Sequence, residues 1–192
     1  MHHIYHTEGI ILGSKSSGEA GKYYSIFTRD LGLIYATAQG VRKMSSKLRY
    51  VLQDFAYVKV DLVAGKNIFR VTTASKTNDL EHITKRPETL KVFANIARLL
   101  KRLLAGVEPN QALFEDVLLG LQILEKAEVK DLENIEAIMV LRILNNLGYI
   151  GENDAVLGII KSPLQEELLL EALKNRKTIV QEINKALKET HL

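Results

Sequence analysis

The sequence predicts an α+β protein in which an all-β amino-terminal part precedes an all-α carboxyl-terminal part. Apolar residues alternate with a period of two up to about residue 75 and recur every three or four residues beyond residue 80. With 46% hydrophobic and 26% charged residues, the 192-residue chain can form one or two globular domains. We expect two, covering residues 1–80 and 81–192, with the boundary near residues 77–87.

Five short strands are predicted in the first 75 residues. GIILGSK, KYYSIFT and LGLIYATAQG are rich in β-branched and aromatic residues and are separated by Gly18 and Gly32. FAYVKVDLVAG alternates, which places Val58 and Leu62 on one face, and NIFRVTTAS follows the turn at residues 65–67. Five strands of this length predict a small closed barrel of the OB type, because closure removes exposed sheet edges.

Helical spacing predicts four helices after the barrel. The first follows Pro87 and ends before Gly106, and the second follows Pro109. The third covers residues 132–147, and the fourth runs from Pro163 to the end. The helices differ in length and charge, and no fixed repeat occurs. We therefore expect a helical bundle, packed against the OB-fold barrel.

Composition and motifs exclude several classes of function. The chain has no Cys, which excludes disulfides, thiolate metal sites and cysteine nucleophiles. It has no Walker A loop, no GxGxxG motif after a strand and no carboxylate spacing typical of acid/base catalysis. His2, His3 and His6 lack further ligands at metal-binding spacing. We expect no cofactor, no metal and no enzymatic activity; an enzyme assembled from distant residues is the alternative.

The protein is expected to be cytoplasmic, without a membrane partner. The amino terminus has no secretory signal, and the longest apolar stretches are far shorter than the roughly 18 residues of a membrane span. Charge is unevenly distributed, because residues 1–85 carry 12 Lys and Arg against 7 Asp and Glu. Residues 86–192 carry 14 against 16. The basic front half therefore favours an anionic partner.

The basic residues cluster in the loop-like stretch QGVRKMSSKLRY. No acidic residue occurs between Leu31 and Gln53, so these cations have no carboxylate nearby in the sequence. Serine hydroxyls beside them are donors for phosphate oxygens. The alternative is an ordinary solvated loop. The residues predicted here to contact DNA are Arg42, Lys43, Ser46, Lys47 and Arg49.

Tyrosines accompany basic residues in the same part of the chain. Six of the seven tyrosines lie within the first 57 residues. OB barrels that bind single strands combine a cationic groove with aromatic faces on which bases stack. Alternatively, each tyrosine has only a structural role in the sheet, because tyrosine has a high propensity for β-strands. The DNA-binding candidates added by this pattern are Lys15, Lys22, Tyr23 and Tyr35.

The helix after Pro87 carries a basic face opposite its apolar stripe. Lys91, Arg98, Lys101 and Arg102 project within about 100° of one another. Lys101 and Arg102 are therefore added to the predicted DNA-binding residues. A solvated helix face is the alternative.

A series of short motifs resembles one known family. TEG at residues 7–9, Gly18-Glu19 and Phe27-Thr28 are followed by Gly32, by Gly40-Val41-Arg42-Lys43 and by Ser46. LQDF and, more weakly, LRILNNLGY at residues 141–149 continue the series. In this order the motifs resemble the RecO family of recombination and repair mediators.

The resemblance implies an amino-terminal OB domain packed on a helical domain, without a catalytic centre. It implies binding of single- and double-stranded DNA, annealing of complementary strands and, with the partner RecR, exchange of single-strand-binding protein for recombinase. Arg42 and Lys43 are the positions carried over most directly as DNA contacts. The alternatives are a protein-interaction adapter with an OB barrel and an RNA-binding OB protein.

The chain departs from the family in three respects. Many relatives have a four-cysteine zinc site after the Leu-Gly-Tyr helix, whereas this chain has no Cys. The chain is also several tens of residues shorter than usual in this region. Relatives commonly carry basic and aromatic residues entering that helix, where the acidic tail of single-strand-binding protein is held, but residues 137–140 read Ala-Ile-Met-Val. Contact with that tail is therefore lost or uses other cations.

Overall fold

The computed structural model describes residues 3–66, 68–77, 80–151, 154–163 and 166–190. As predicted, strands come first and helices follow. Contacts divide the chain into two units. The first comprises Met1–Glu81 and Ala97–Gln111, and the second comprises His82–Ile96 and Ala112–Leu192. The predicted domain boundary at residue 80 stays a proposal, and each unit is described by itself.

The first unit contains a closed five-stranded barrel, which confirms the predicted OB type. The strands are β1 (Ile4–Ser17), β2 (Gly21–Thr28), β3 (Gly32–Ala38), β4 (Tyr57–Ala64) and β5 (Phe69–Lys76). They close in the order β1-β2-β3-β5-β4, with β3 and β5 parallel and the other neighbours antiparallel. The long β1 pairs with both β2 and β4, and its register with β2 shifts between Ile11 and Gly13.

The barrel core is formed by the inward residues of all five strands. Its members include Ile11, Tyr24, Ile26, Ile34, Ala36, Val58, Val60, Leu62 and Val71, all almost fully buried. The alternation predicted for β4 is confirmed, because Val58 and Leu62 point inward while Lys59 is exposed. β4 therefore presents one side to the core and the other outward, whereas β1, β2 and β3 each contain at least three consecutive buried residues.

The connection between β3 and β4, residues 39–56, is not a simple loop. It contains a one-turn helix, α1 (Leu48–Val51), which sequence periodicity did not predict. Val41 and Leu52 are buried in the barrel core, and Leu48 and Val51 pack against it. The apolar residues of QGVRKMSSKLRYVL therefore anchor the connection, while the intervening cations stay outside.

Residues 97–111 lie against the turn between β2 and β3. Gly32 has φ of +70°, and a Cβ built on it would lie 2.2 Å from the carbonyl oxygen of Glu108. Gln111 Nε2 donates to Asp30 Oδ1 at 3.5 Å. Glycine at position 32 thus serves both the left-handed turn and this close approach.

The helices after the barrel agree in part with the prediction. The structure has α2 (Pro87–Leu103), α3 (Gln111–Lys126), α4 (Leu132–Asn146), α5 (Asp154–Lys161), α6 (Glu166–Lys174) and α7 (Arg176–Glu189). The first three predicted helices correspond to α2, α3 and α4. The single helix predicted after Pro163 is wrong, because α6 and α7 are separated at Asn175, and α5 was not predicted. Across the described ranges, no helix is long and apolar enough to cross a bilayer.

Arg142 connects three helices of the second unit. Its side chain is only 6% exposed, and Nη2 donates to the carbonyl oxygens of Ile159, at 3.1 Å, and Ser162. Nη1 lies 3.7 Å from Asp116 Oδ1. Burial lowers the pKa of Arg142, and Asp116 opposes that effect. The contacts bring α4, α3 and the end of α5 together.

Candidate nucleic-acid interface

The outer face of the barrel carries a row of residues that crosses four strands. Lys15 on β1 is paired with Tyr23 on β2, and Tyr23 is paired with Thr37 on β3. Thr37 is in turn paired with Arg70 on β5, through the parallel ladder. Lys15 and Arg70 are exposed. A cation therefore lies at each end of the row, with a tyrosine between them.

The neighbouring row adds a second tyrosine. Gly13 on β1 is paired with Ser25 on β2, which is paired with Tyr35 on β3. The rings of Tyr23 and Tyr35 lie 6.0 Å apart, inclined by 34°, and their residues are 39% and 43% exposed. These two tyrosines form an aromatic surface open to solvent.

Lys101 of α2 lies beside the second row. Its Nζ is 3.6 Å from the position that a Cβ on Gly13 would occupy. Arg102 is exposed at the next position of the helix. We use the name sheet face for the surface formed by Lys15, Tyr23, Tyr35, Arg70 and Lys101.

The basic residues of the β3–β4 connection form a second group. Tight turns order the backbone, because Lys43 N donates to Gly40 O and Ser46 N donates to Lys43 O, both at 3.0 Å. Arg42, Lys43 and Lys47 are exposed. None of them lies within 4 Å of a carboxylate in the part of the chain that the structure describes. Their charges are therefore open to an external anion.

Arg42 and Arg49 of the same connection line a cleft together with Lys22. The cleft has a volume of about 410 Å³, and we call it the end cleft. Burial, and secondarily the charge of Asp54, raises the pKa of the Tyr24 phenol in its wall to about 12. Tyr24 is therefore neutral at physiological pH. The lining residues are Lys22, Tyr24, Val41, Arg42, Arg49, Leu52 and Gln53.

The structure thus distributes the predicted DNA-binding residues over four places. Lys15, Tyr23, Tyr35 and Lys101 meet on the sheet face, and Lys22, Arg42 and Arg49 meet at the end cleft. Lys43, Ser46 and Lys47 lie on the turns, and Arg102 lies on α2. The loop-like interpretation is wrong at Arg49, which is in α1.

Arg70 and Gln53 were missed by the sequence analysis. Arg70 joins the sheet face only through the parallel pairing of β5 with β3, which no local pattern indicates. Gln53 ends the acid-free stretch and lines the end cleft. Because the acid-free stretch extends to residue 53, the sequence could have indicated that Gln53 belongs to the cationic surface. No comparable sequence pattern indicated that Arg70 belongs to the sheet face.

Other polar residues of the first unit serve internal contacts. Arg29 Nη2 and Tyr57 Oη both donate to Glu8 Oε2, at 2.9 and 2.6 Å. The hydrogen bond from Tyr57, followed by that from Arg29, lowers the pKa of Glu8, although burial opposes this. His6 Nδ1 lies 2.6 Å from Asp61 Oδ1. Of the remaining histidines of the predicted cluster, His3 lies against the Tyr5 ring and His2 is outside the described residues.

Two family models match the chain, and together they cover more than half of it. Residues 1–78 match the model described as Recombination protein O N terminal. Residues 85–152 match the model described as Recombination protein O C terminal. The first match contains the whole barrel, and the second contains α2 to α4.

Curated relatives point to the same family. The chain is 30% identical over 146 residues to the DNA repair protein RecO of Rubrobacter xylanophilus, covering 76% of this chain and 58% of the relative. It is 30% identical over 149 residues to that of Heliobacterium modesticaldum, covering 78% and 53%. It is 31% identical over 130 residues to that of Dehalococcoides mccartyi, covering 68% and 51%.

The matches therefore extend over both the barrel and the following helices, although the chain spans only between about half and three fifths of these relatives' lengths. The predicted motifs and the fold agree with them. The chain belongs to the RecO family.

Proposed function

We propose that this chain is a DNA-binding mediator of recombinational repair, which binds single- and double-stranded DNA and anneals complementary strands. The observation that carries the proposal is the sheet face, where two exposed tyrosines lie among Lys15, Arg70 and Lys101. The strand 2–3 face is the surface that OB folds use for oligonucleotides. Relatives named DNA repair proteins support the same role.

On the sheet face, a single strand is bound by two kinds of contact. Bases stack on the rings of Tyr23 and Tyr35, and each stacked base contributes about 1–3 kcal/mol. Phosphates are neutralised by Lys15 and Arg70 at the two ends of the row. Stacking requires unpaired bases, so this surface favours single strands over duplex.

The turns of the β3–β4 connection supply phosphate contacts without base contacts. Arg42, Lys43 and Lys47 neutralise backbone charge in either a single strand or a duplex. Two complementary strands repel each other through their phosphates, and cations that hold both lower this repulsion and raise the local strand concentration. Annealing is thereby accelerated without any bond being made or broken, and it requires no catalytic centre.

Family membership supports two protein partners. We propose that RecR is the partner with which the chain assists recombinase loading in the cytoplasm. Single-strand-binding protein is then the protein that is displaced. In α4, Ile138 and Met139 are buried. Residues 137–140 therefore offer no cationic contact to an acidic tail, and such a contact uses cations elsewhere.

Variants of the tyrosine pair test the sheet face. We expect Tyr23→Ala combined with Tyr35→Ala to weaken binding of labelled oligo(dT) at least about tenfold, because two stacking platforms are lost. The matched variant with Phe at both positions keeps the rings and should retain most of the affinity. Duplex binding should change little in either variant. Equal loss for single strands and duplex would contradict base stacking on this face.

A triple variant tests the role of the turns in annealing. Arg42→Ala, Lys43→Ala and Lys47→Ala together should slow fluorescence-detected annealing of complementary oligonucleotides. The control triple variant, Lys174→Ala, Lys177→Ala and Lys185→Ala, removes equal charge from exposed positions of α6 and α7. If the first variant is folded and its annealing rate is undiminished, a role of the turns in annealing is excluded. Stronger competition by RNA than by DNA of the same sequence would favour an RNA-binding protein instead.

A further inference from the structure

The end cleft gathers positive charge around one concavity. Lys22 reaches it from β2, Arg42 from the turn after β3 and Arg49 from α1. No carboxylate is among the residues that line it. The adjoining cleft, of about 420 Å³, differs because Glu19 lines it together with Lys22 and Lys43. The end cleft is therefore the more strongly cationic of the two.

Among the described residues, no carboxylate pairs directly with the three cations of the end cleft, although the charge of Asp54 acts on Tyr24 in its wall. Lys22 Nζ donates to the hydroxyl of Ser14 at 3.2 Å, and the guanidinium of Arg49 contacts the sulfur of Met44. Both partners are uncharged. Over the described ranges, no carboxylate lies within 4 Å of any of the three charged groups. Like charges held together repel, and a bound anion relieves that repulsion.

Backbone hydrogen bonds order the segments that carry these side chains. Arg42 N donates to Ala20 O at 2.9 Å, which joins the basic turn to the turn between β1 and β2. Leu52 N donates to Leu48 O at 2.8 Å, which closes the turn of α1 behind Arg49. Tyr24 and Leu52 are 0% and 1% exposed. The inner wall of the cleft is therefore closed, so a strand cannot pass through the cleft into the barrel.

We propose that the end cleft binds a phosphate monoester, held by Lys22, Arg42 and Arg49. A monoester carries a charge of about −1.5 to −2 at neutral pH, whereas a phosphodiester carries about −1, so three cations match the monoester better. The closed inner wall lets a terminal group rest against it, and the charge match is what favours the monoester over the middle of a strand. The end of a DNA strand and a free mononucleotide share this chemistry, and naming the DNA end rests on the proposed function.

Binding of matched oligonucleotides tests the proposal. Oligo(dT) is titrated with a 5′-phosphate, with a 3′-phosphate or with hydroxyls at both ends, and thymidine monophosphate and inorganic phosphate are titrated separately. We expect at least one terminal phosphate to tighten binding about tenfold, since hydrogen bonds to charged groups are among the stronger polar contacts. A preference confined to thymidine monophosphate would identify the free nucleotide as the source. Equal affinity for every oligonucleotide, with no binding of the monophosphate, would overturn the proposal.

Variants locate the effect and separate it from DNA binding in general. Arg42→Gln with Arg49→Gln should abolish the preference for a phosphorylated end, whereas Lys43→Gln with Lys47→Gln, which removes the same charge nearby, should preserve it. A preference that survives in the folded first variant would exclude the end cleft. Failure of all oligonucleotides to bind at low salt would overturn the proposed function instead, and monoester binding would still be tested by thymidine monophosphate. If Arg49→Gln unfolds the protein, Arg42→Gln alone gives the same comparison.

Discussion

Two arginines of the barrel show how the surroundings of a residue decide what its charge does. Arg29 pairs with Glu8, which also accepts a hydrogen bond from Tyr57. Arg42 is exposed, and within the described chain no carboxylate lies within 4 Å of it. The charge of Arg29 therefore stabilises the barrel, whereas that of Arg42 is available to a ligand. Counting cations in the sequence does not separate the two roles.

Glu8 gives a prediction about the dependence of stability on pH. Its pKa is lowered in the folded state by the hydrogen bonds from Tyr57 and Arg29, despite the opposing effect of burial. The stabilisation is present above the carboxyl pKa of the unfolded chain, about 4.3, and is lost as pH falls through the lower folded pKa. We expect Glu8→Gln to reduce the free energy of unfolding at pH 7 by about 1–2 kcal/mol.

Urea denaturation at pH 7 and at pH 3 measures this difference. The cost of Glu8→Gln should shrink at pH 3, because this pH lies below the carboxyl pKa of the unfolded chain and the stabilisation diminishes from there as pH falls. Glu19→Gln, at an exposed position of the β1–β2 turn, is the control and should change stability little at either pH. A cost for Glu8→Gln that is equal at both pH values would contradict the role of the charge.

At the scale of elements, α4 depends on one buried side chain. Arg142 donates to carbonyls after and within α5 and lies near Asp116 of α3. Lysine has a single charged group and lacks the planar fork of arginine, so it cannot satisfy these partners together. We expect Arg142→Lys to lower the free energy of unfolding by about 2–3 kcal/mol in urea denaturation. Arg176→Lys, which affects an exposed pair with Glu133 and a 3.3 Å hydrogen bond to Asn134, should cost less, about 1 kcal/mol.

The β1–β2 and β2–β3 turns together provide a matched pair of glycine variants. Gly18 and Gly32 both have positive φ, of +60° and +70°, but a Cβ on Gly18 meets nothing within 4 Å. Alanine at position 18 should therefore cost only the backbone strain, about 1–2 kcal/mol. Gly32→Ala should cost several kcal/mol, because the new Cβ collides with the backbone of Glu108. Similar decreases in melting temperature for the two variants would show that residues 97–111 do not pack closely against the β2–β3 turn.

The elements that the sequence predicted are those with long, regular patterns. The alternation of β4 and the apolar stripes of α2, α3 and α4 were sufficient to predict these elements, because each pattern spans several periods. The four residues of α1 are too few for a helical period to be recognised. The break between α6 and α7 at Asn175 carries neither Pro nor Gly, so nothing local marked it. Arg70 could not be assigned to the sheet face because strand order depends on the tertiary fold.

At the scale of the whole molecule, salt dependence measures how many cations reach the phosphates. If the four cations of the β3–β4 connection, Arg42, Lys43, Lys47 and Arg49, all contact a single strand, they contribute a slope of about −3 for log affinity against log salt concentration. That slope corresponds to roughly fifty-fold weaker binding between 50 and 200 mM salt. The Arg42, Lys43 and Lys47 triple variant should have a slope shallower by about 2. The control triple variant on α6 and α7 should keep the slope of the unmodified protein. A slope near zero for the unmodified protein would favour an adapter that binds proteins instead of DNA.

The pairing of β1 on both of its sides has a consequence for folding. The first half of β1 cannot pair until β4, about fifty residues further along the chain, has been synthesised. In the same way, β3 cannot pair with β5 until β5 has been synthesised. During synthesis, the β1–β2–β3 meander therefore leaves the ribosome with two unsatisfied edges. We expect the nascent chain to depend on holdase chaperones until β5 has emerged, because open edges of this kind recruit other strands and aggregate.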